Sequence, residues 1–486
     1  MPKKKDKDLD VLKDLLSDLI HAREWQKARV IAQHLIKIDS KDLGLRTALG
    51  MVSFEIGQLD EAEECFTHVL DADPDNANIL LNMSALCAYR GDFKGQLEWA
   101  LRATQSEEGG PQPHFAVSDA YIRLGQLTDA EAELERATEL YPEDIRSHWM
   151  LGHVYLGLHK PQQACDEFRA ALRMNFSDAG LWCDLGHTLS QLEKYPDALA
   201  AFLRALHLEP NMALYAYNVG DAHLAMNEPE KALPYLMKAV QRDPDFSLAH
   251  YDLGLAFLSL GRYEESVPAS TAALRADPDM DNQRINLGMG ATTNLGIAYM
   301  NLGKYAEAED CFRKNLKLEA STYFNLGLTL FRQERYEQSL FNLQRALEIE
   351  PHDAEYLDLL GSAFLELDRL DEAMEAIRAA IAVDDSYALA HYDLGTVLAR
   401  MKGQNAAALR SFKRSLDLDK NLLWAYYAIG CIYAKQGKKK SALRFLGKAF
   451  QKGFRDMAHL EQDSDWEGLR EDPDFQALTA KYAAKK

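Results

Sequence analysis

A pair of residues, usually Leu-Gly, returns along this chain at intervals of about 34 residues. From Gly152 through Gly186 and Gly220 to Gly254 the interval is identical each time. The pair occurs at Leu49-Gly50, Leu151-Gly152, Leu185-Gly186, Val219-Gly220, Leu253-Gly254, Leu295-Gly296, Leu326-Gly327, Leu360-Gly361, Leu394-Gly395 and Ile429-Gly430. Self-similarity at a fixed period is typical of an array of repeated units. A stacked array has one long surface, and binding is the usual role of such a surface.

Each repeat contains two predicted helices when the recurring glycine is numbered position 8. Bulky residues at positions 4 and 11 share one helical face with the pair at 7 and 8. Position 15 is often glycine, as in Gly125, because a left-handed glycine ends a helix without strain. The second helix carries alanine at 20, an apolar residue at 24 and a small residue at 27, and proline at 32 ends the unit. Each repeat is named here by its first residue: Leu43, Pro111, Ile145, Ala179, Ala213, Ser247, Met289, Ala320, Ala354, Ala388 and Leu423, with a degenerate repeat at Ala77 and a weaker one near Leu9.

This pattern resembles the tetratricopeptide repeat, which has a bulky residue at 4, Leu at 7, Gly at 8, Tyr at 11, Ala at 20, Phe at 24, Ala at 27 and Pro at 32. The resemblance covers roughly Leu9 to Asp456. It implies an all-α fold, an α-solenoid of about 13 antiparallel helix pairs that form a right-handed superhelix. The first helices of the repeats would line a concave groove.

Departures from the period predict the organisation of the chain. Residues 1–42 form an N-terminal segment with a degenerate first repeat, and residues 43–280 form one array. Residues 281–288 are an insert, which either breaks the superhelical phase or merely extends a helix or forms a loop. A second array covers residues 289–456, and residues 457–486 are predicted capping helices that resemble the tail of many bacterial arrays. The turn cluster 107–111 predicts a loosened joint after the Ala77 repeat.

Charge is unevenly distributed along the chain. Residues 400–456 contain 14 Lys or Arg and 3 Asp or Glu, which gives this segment a charge of +11. Because the net charge of the chain is −20, the remaining residues together carry −31. An acidic body disfavours nucleic-acid binding along most of the length. The basic end favours an acidic partner, an anionic membrane, nucleic acid or the acidic body of a second copy, or it is simply a solvated face.

Six scattered cysteines without a CxxC pair are typical of reduced thiols and favour a cytoplasmic location. No apolar run is long enough for a membrane span, and no apolar stretch follows Met1. We therefore expect neither a transmembrane segment nor a secretory leader.

The resemblance places positions 2, 5, 6, 9, 12 and 13 on the concave side. At position 6 the repeats carry amide or carboxylate side chains: Asn82, Asp184, Asn218, Asp252, Asn294, Asn325 and Asp393. An Asn amide can both donate to and accept from a peptide backbone. This row is similar to the asparagine ladder in the repeat portion of the O-linked N-acetylglucosamine transferases. Because Asp only accepts, its presence in the row favours basic segments or Arg and Lys side chains.

Positions 5 and 9 add further candidates for the groove. Position 5 carries Trp149, Tyr217, Tyr251, Phe324, Tyr392 and Tyr427, which either contact a bound peptide or pack against a neighbouring helix. Position 9 carries Asp119, His153, His187 and Asp221. Zinc ligands must converge on one ion, and residues a helix diameter apart rarely do so, so solvated polarity is favoured over a metal site. Histidines at position 4, namely His148, His250 and His391, are predicted to be packing residues.

The sequence contains no GxGxxG after a predicted strand, no GxxxxGK(S/T) and no HExxH. We therefore predict a non-enzymatic scaffold or adaptor, without catalytic residues, metal or cofactor, that binds extended or helical segments of partner proteins. The alternative is a substrate-recognition or regulatory subunit of an enzyme complex of the glycosyltransferase type. A partner that carries the chemistry and binds in fixed stoichiometry would favour this alternative.

Overall fold

The computed structural model describes residues 2–106, 110–279, 290–314 and 319–483. Within these ranges the regular structure is helical, which confirms the all-α prediction. Two compact units are present, Met1–Glu228 and Pro229–Lys486. Each described helix is too short or too polar to cross a bilayer. The predicted insert 281–288 and most of the turn cluster, at 107–109, lie outside the described residues.

In the first unit, helices run in antiparallel pairs along the chain. A leading pair, Pro2–His21 and Trp25–Ile38, precedes the repeats. The first helices of the repeats are Leu43–Glu55, Ala77–Tyr89, Gln112–Arg123, Ile145–Gly157, Ala179–Gln191 and Ala213–Ala225. The second helices are Leu59–Ala72, Phe93–Ala103, Leu127–Leu140, Pro161–Met174 and Tyr195–Leu208. Each described boundary lies close to the position that the repeat pattern predicts.

The second unit begins with the helix Pro229–Arg242 and continues with further pairs. Their first helices are Ser247–Ser259, Ala291–Asn301, Ala320–Arg332, Ala354–Glu366, Ala388–Arg400 and Leu423–Lys435. Their second helices are Tyr263–Ala276, Tyr305–Lys314, Tyr336–Ile349, Leu370–Val383, Asn405–Leu418 and Lys439–Gln451. The helices Met457–Gln462 and Pro473–Ala483 follow, separated by the 3₁₀ helix Ser464–Leu469.

The turn inside a hairpin depends on one left-handed residue, which lies at position 15 in all the repeats named above from Leu43 onward except the Ala388 repeat, where it is Gly403 at position 16. The φ angle of the residue at position 15 lies between 57° and 77° in eleven repeats. Six of these residues are glycine and the others are His159, Glu193, Asn227, Glu334 and Asp368. A left-handed residue directly after a helix is a common way to end it. The prediction that position 15 ends the first helix is therefore confirmed, although glycine is not required there.

The turn between repeats is held by two recurring hydrogen bonds. An Asp or Asn at position 34 caps the following first helix, as Asp178 does by accepting from the backbone N–H of Leu181 at 3.1 Å. The ring at position 4 reaches back to the carbonyl six residues earlier. Trp182 Nε1 donates to the Phe176 carbonyl at 2.9 Å, and His250 Nε2 lies 2.9 Å from the Pro244 carbonyl. Position 4 therefore locks the inter-repeat turn as well as packing.

Within a hairpin, the glycine at position 8 lies against the residue at position 24. A Cβ built on Gly186 would be 2.4 Å from Cε1 of Phe202, and one on Gly152 would be 2.6 Å from Cε1 of Phe168. Both rings are fully buried. Distances this short cannot be accommodated without moving a ring that is packed on all sides. The recurring glycine is thus required by the close approach of the two helices.

The terminal segment packs onto the last repeat. Trp466 is fully buried, and its Cη2 would lie 3.0 Å from a Cβ on Gly430. Lys435 pairs with Asp465 at 2.8 Å, and Lys439 pairs with Asp472 at 2.6 Å. These contacts bury the apolar end of the Leu423 repeat and neutralise two lysines of the basic end.

We predict that Gly186→Ala lowers the free energy of unfolding by about 1–3 kcal/mol, because the added methyl group overpacks the Phe202 contact. Urea unfolding of the full chain measures the change. The matched control is Gly447→Ala, since its Cβ would meet only Leu478 Cδ1 at 3.8 Å. Alanine forms helix better than glycine, so the control should be neutral or stabilising. Equal stability changes in the two variants would contradict the packing role of position 8.

Candidate binding surface on the first helices

Three cavities follow one another along the first helices of the first unit. Their volumes are about 170, 620 and 450 Å³. Phe54 and Ala85 line both the first and the second cavity, and Arg146 lines both the second and the third. We call these three linked cavities the unit-1 groove.

Small side chains open the central cavity of the unit-1 groove. Ala85, Ala88 and Ala116 line it at positions 9, 12 and 6 of their repeats. Larger apolar side chains form the walls, among them Tyr89 at position 13 and Phe115 at position 5. These are positions that the family resemblance places on the binding side. The cavity therefore arises where several of these positions carry alanine.

The degenerate Ala77 repeat supplies a polar part of the same cavity. Ser84 replaces the glycine of position 8, and its hydroxyl donates to the Gln96 carbonyl at 3.0 Å. Gln96 replaces the alanine of position 20, and its Nε2 donates to Asp119 Oδ2 at 2.8 Å. Arg123 Nε also donates to this oxygen, at 2.9 Å. The departures noted in the sequence thus build a hydrogen-bonded network that reaches from a second helix to the groove.

The third cavity is lined by two of the residues singled out in the sequence, Trp149 and Asp184. Trp149 Nε1 donates to Asp184 Oδ2 at 2.9 Å, and His153 Nε2 lies 3.2 Å from the same oxygen. The Trp149 side chain is nevertheless 40% exposed. Asp184 therefore holds an exposed indole and an imidazole in place, and part of its accepting capacity is used within the chain.

The remaining side chains at position 6 differ in their exposure. Asn82 is half-buried and lines the first cavity, and Asn325 and Asp393 are half-buried. Asn218 is 1% exposed, with its Nδ2 3.2 Å from Cys183 Sγ and 3.3 Å from His187 Nε2. Asp252 and Asn294 are also buried. Adjacent first helices pack side by side, so Asn218 at position 6 contacts positions 5 and 9 of the preceding repeat. The ladder prediction expected Asn218, Asp252 and Asn294 to be accessible to a partner, but all three are buried.

The aromatic residues of position 5 divide between the two alternatives. Tyr251 and Phe324 are buried, and Phe324 stacks on Tyr356 with ring centroids 4.6 Å apart. Tyr217 and Tyr392 are half-buried. Tyr251 and Phe324 therefore pack against neighbouring helices, whereas Trp149 is exposed and available to contact a bound peptide.

Position 9 places polar groups at the edge of the surface. Asp119 is half-buried, whereas His153, His187 and Asp221 are exposed. His153 and His187 contact the edges of Phe168 and Phe202, with centroids 5.3 and 5.1 Å apart. Each histidine thus rests on the ring that fills the glycine slot of its own repeat.

A candidate metal-ligand cluster lies elsewhere. Among the described residues, Cys431, Asp463 and Asp465 form a group whose potential ligand atoms lie within 4.8 Å of one another. Tyr427 OH donates to Asp463 at 2.6 Å, and Lys435 already pairs with Asp465. Burial is the largest cause that raises the pKa of the Cys431 thiol. These contacts describe a structural junction between the last repeat and the terminal segment, because the ligand atoms are engaged within the chain.

In the second unit, two carboxyl groups meet between neighbouring first helices. Asp358 lies at position 5 of the Ala354 repeat and hydrogen-bonds to Asp393, at position 6 of the next repeat. Ser362 Oγ also donates to Asp393, at 3.1 Å. Asp358 is 6% exposed, and burial, followed by the charge of Asp393, raises the pKa of Asp358 far above its ordinary range. Burial of this pair therefore favours the protonated form of Asp358.

Sequence reasoning missed several residues of these sites. The central cavity is also lined by Arg146 at position 2 and by Tyr89 and Arg123 at position 13. The sequence prediction had named candidate residues only at positions 5, 6 and 9. The signal was present, because the family resemblance already assigned positions 2 and 13 to the same side. Asp358 was missed because its pairing with Asp393 depends on packing between repeats.

We predict that Asp358→Asn stabilises the chain at alkaline pH. The folded-state pKa of Asp358 is raised above the unfolded value of about 3.8, so wild-type stability falls as pH rises between these two values. Asn does not titrate, so the variant should gain about 1–3 kcal/mol relative to wild type at pH 8 and less at pH 6. Urea unfolding at both pH values measures this difference. Glu375→Gln, at an exposed site on the helix Leu370–Val383, controls for the loss of charge. An Asp358→Asn difference that does not depend on pH would contradict the raised pKa.

Comparison with known proteins places this geometry in a family. Models described as tetratricopeptide repeat match residues 44–76, 116–180, 183–245, 217–281, 291–319, 320–353, 359–422 and 425–451. Together these segments cover more than half of the chain.

Individual relatives match shorter segments. The chain is 23% identical to Anaphase-promoting complex subunit 3 of Schizosaccharomyces pombe over 131 residues, which are 27% of this chain and 20% of that protein. It is 29% identical to the Protein CTR9 homolog of Arabidopsis thaliana over 117 residues, 24% of this chain and 11% of that protein. The chain thus spans a fifth or less of the length of these curated relatives.

Among solved structures, the APC/C hetero-tetramer Cut9-Hcn1 aligns with 90% of this chain and 96% of its own, at 16% identity and a TM-score of 0.41. The family is shown by the matched repeat models, which fall on the helix pairs described above. The chain therefore belongs to the tetratricopeptide repeat family.

Proposed function

We propose that this chain is a protein-interaction scaffold that binds segments of partner proteins in the unit-1 groove. The observation that carries this proposal is the continuity of the three cavities along successive first helices. A concave, mostly apolar site with a few placed polar groups is the usual form of a binding site. Proteins with tetratricopeptide repeats typically act as interaction scaffolds, and the proposed activity is binding without catalysis.

The dimensions of the groove suit an extended segment. Most of its lining residues come from the first helices of the Leu43, Ala77, Pro111, Ile145 and Ala179 repeats, and the others include Phe66 and Gln96 on second helices and Ile20 and Trp25 on the leading pair. Packed helices lie roughly 8–10 Å apart, and an extended chain rises about 3.3 Å per residue. Five adjacent helices therefore span roughly ten residues of a bound segment.

The chemistry of the groove also suits a peptide. Trp149 and Arg146 are exposed on one helix, and Trp149 offers a large rigid contact area at low entropic cost. Asn82 and Asp119 add amide and carboxylate groups that can meet a peptide backbone. In this proposal Asn82, Asp119, His153 and Asp184 are partner contacts, whereas Asn218 is a structural residue.

Other features agree with a role inside a multi-protein assembly. Anaphase-promoting complex subunit 3 is by its name a subunit of a complex, although the aligned segment is a fifth of its length.

All six cysteines are free, and burial raises the pKa of Cys65 and Cys183 to about 11, which keeps both as unreactive thiols. We propose a cytoplasmic location on this basis. An acidic partner at residues 400–456 stays a prediction, because the terminal segment already pairs with Lys435 and Lys439.

We predict that Arg146→Ala with Trp149→Ala abolishes capture of the physiological partner. Both side chains are exposed, so the melting temperature should change little while the binding surface loses its largest contacts. The measurement is affinity capture from the source lysate, followed by cross-linking mass spectrometry to find the partner segment that touches the groove. Binding of that segment as a synthetic peptide is then measured by calorimetry.

The matched control carries Leu140→Ala and Leu203→Ala, two exposed leucines on second helices of the same unit. This control should bind the segment as the wild type does. If the groove variant still binds the segment with wild-type affinity, the unit-1 groove is not the binding site. Cross-links confined to second helices or to the terminal segment would lead to the same conclusion.

A further inference from the structure

The central cavity of the unit-1 groove differs from its neighbours in volume and in what surrounds it. It measures about 620 Å³, within the range of pockets that enclose a ligand group rather than merely touch it. Ala85, Ala88 and Ala116 open it, and the rings of Phe54, Tyr89 and Phe115 line it. Aromatic walls around a volume of this size favour a flat apolar group, because offset or edge-on ring contacts add to the free energy of burial.

One buried acceptor at this cavity has no partner. Gln96 is 3% exposed and lines the cavity, and its Oε1 makes no hydrogen bond among the described residues. The other end of the amide is fixed, because Nε2 donates to Asp119. An unsatisfied buried acceptor costs roughly 1–3 kcal/mol, so it calls for an explanation. A donor group delivered by a ligand would satisfy it once the Gln96 side chain shifts toward the cavity, because Oε1 has almost no accessible surface in the unbound chain.

The charge at the mouth of the cavity comes from two arginines. Arg123 is neutralised by Asp119, its neighbour one turn earlier. Arg146 stacks over the Phe115 ring at 4.7 Å and, within the described parts of the chain, forms no ion pair. Surface charges farther away than about 8 Å are largely screened at physiological ionic strength. The acidic charge of distant parts of the chain therefore has little effect on the local attraction of Arg146 for a carboxylate, whereas Asp178 and Asp184, which line the third cavity with Arg146, reduce it.

We propose that the central cavity is an anchor pocket for a tryptophan or tyrosine side chain of a partner segment, with an acidic residue beside it that pairs with Arg146. The indole N–H or phenol O–H would donate to Gln96, and the ring would lie among Phe54, Tyr89 and Phe115. This inference rests on the proposed function, since it names the side chain that the unit-1 groove selects. Large aromatic side chains in desolvated pockets are the usual energetic centres of protein interfaces.

The test uses a defined probe, the peptide acetyl-Ala-Ala-Glu-Trp-Glu-Ala-Ala-amide, and the full-length chain labelled with ¹³C at methionine methyl groups. Met150 lines the cavity, whereas Met374 and Met401 lie in the second unit. The Met150 methyl resonance should shift in a saturable manner, and those of Met374 and Met401 should not. Replacing the peptide's Trp by Phe should weaken binding by about threefold, and by Ala at least tenfold, because the donor and then the ring are lost.

Ala85→Leu fills the cavity from an exposed position, so the fold should be retained. It should weaken binding of the Trp peptide at least tenfold, whereas Ala132→Leu, at an exposed position on a second helix, should not. Replacing the two Glu residues of the peptide by Lys should weaken binding to the wild type. This sensitivity should disappear in Arg146→Ala and persist in Arg136→Ala, an exposed arginine on the second helix Leu127–Leu140.

An unshifted Met150 methyl resonance up to the solubility limit of the peptide, or equal affinity of Ala85→Leu and wild type, would overturn the proposal. The two levels of inference can be separated. If Ala85→Leu retains the cross-linked cellular partner while Arg146→Ala with Trp149→Ala loses it, the groove remains the binding site and the anchor pocket is refuted. If all these variants retain the partner, the proposed function fails as well.

Discussion

In most hairpins, the contact between the glycine of position 8 and the residue of position 24 sets the geometry of the helix pair. At Gly186 and Gly152 a methyl group would lie within 2.6 Å of a buried phenylalanine ring. The ring can therefore occupy the space directly above the first helix, and the two helices pack closely along the whole hairpin. Where position 20 is serine instead of alanine, its hydroxyl donates to the carbonyl of that glycine, as Ser266 does to Gly254 at 2.9 Å. The same approach is thus kept with a hydrogen bond added.

Because the inside of the hairpin is nearly constant, the first helices can vary on their outer side without loss of the fold. The Ala77 repeat is the clearest case. Ser84 and Gln96 replace the two small residues of the hairpin, and their hydrogen bonds reach Asp119 in the following repeat. Alanines at the outer positions leave the central cavity open beside this network. A repeat that deviates from the family pattern therefore builds the most distinctive surface of the first unit.

Polar side chains between neighbouring first helices serve structure in some repeats and surface chemistry in others. Asn218 is buried and contacts Cys183 and His187 of the preceding repeat, while Asp184 holds an exposed tryptophan. In the second unit Asp358 and Asp393 share the same kind of interface as a hydrogen-bonded carboxyl pair. The same sequence position thus has different roles, because its neighbours at positions 5 and 9 differ from repeat to repeat.

In the described parts of the chain, the sequence by itself determined the helix pairs and their approximate ends, because these follow from local periodicity, left-handed turns at position 15 and small residues at 8 and 20. It also indicated the side of the helices that carries Asp119, Trp149 and Asp184. Only the tertiary structure decided which of the side chains at position 6 are buried, because the exposure of Asn218 or Asn294 depends on the side chains that the adjacent first helix presents. For the same reason the unpartnered Gln96 acceptor, the Asp358 carboxyl pair and the cavity around Ala85 became visible only when residues about one repeat apart were placed side by side.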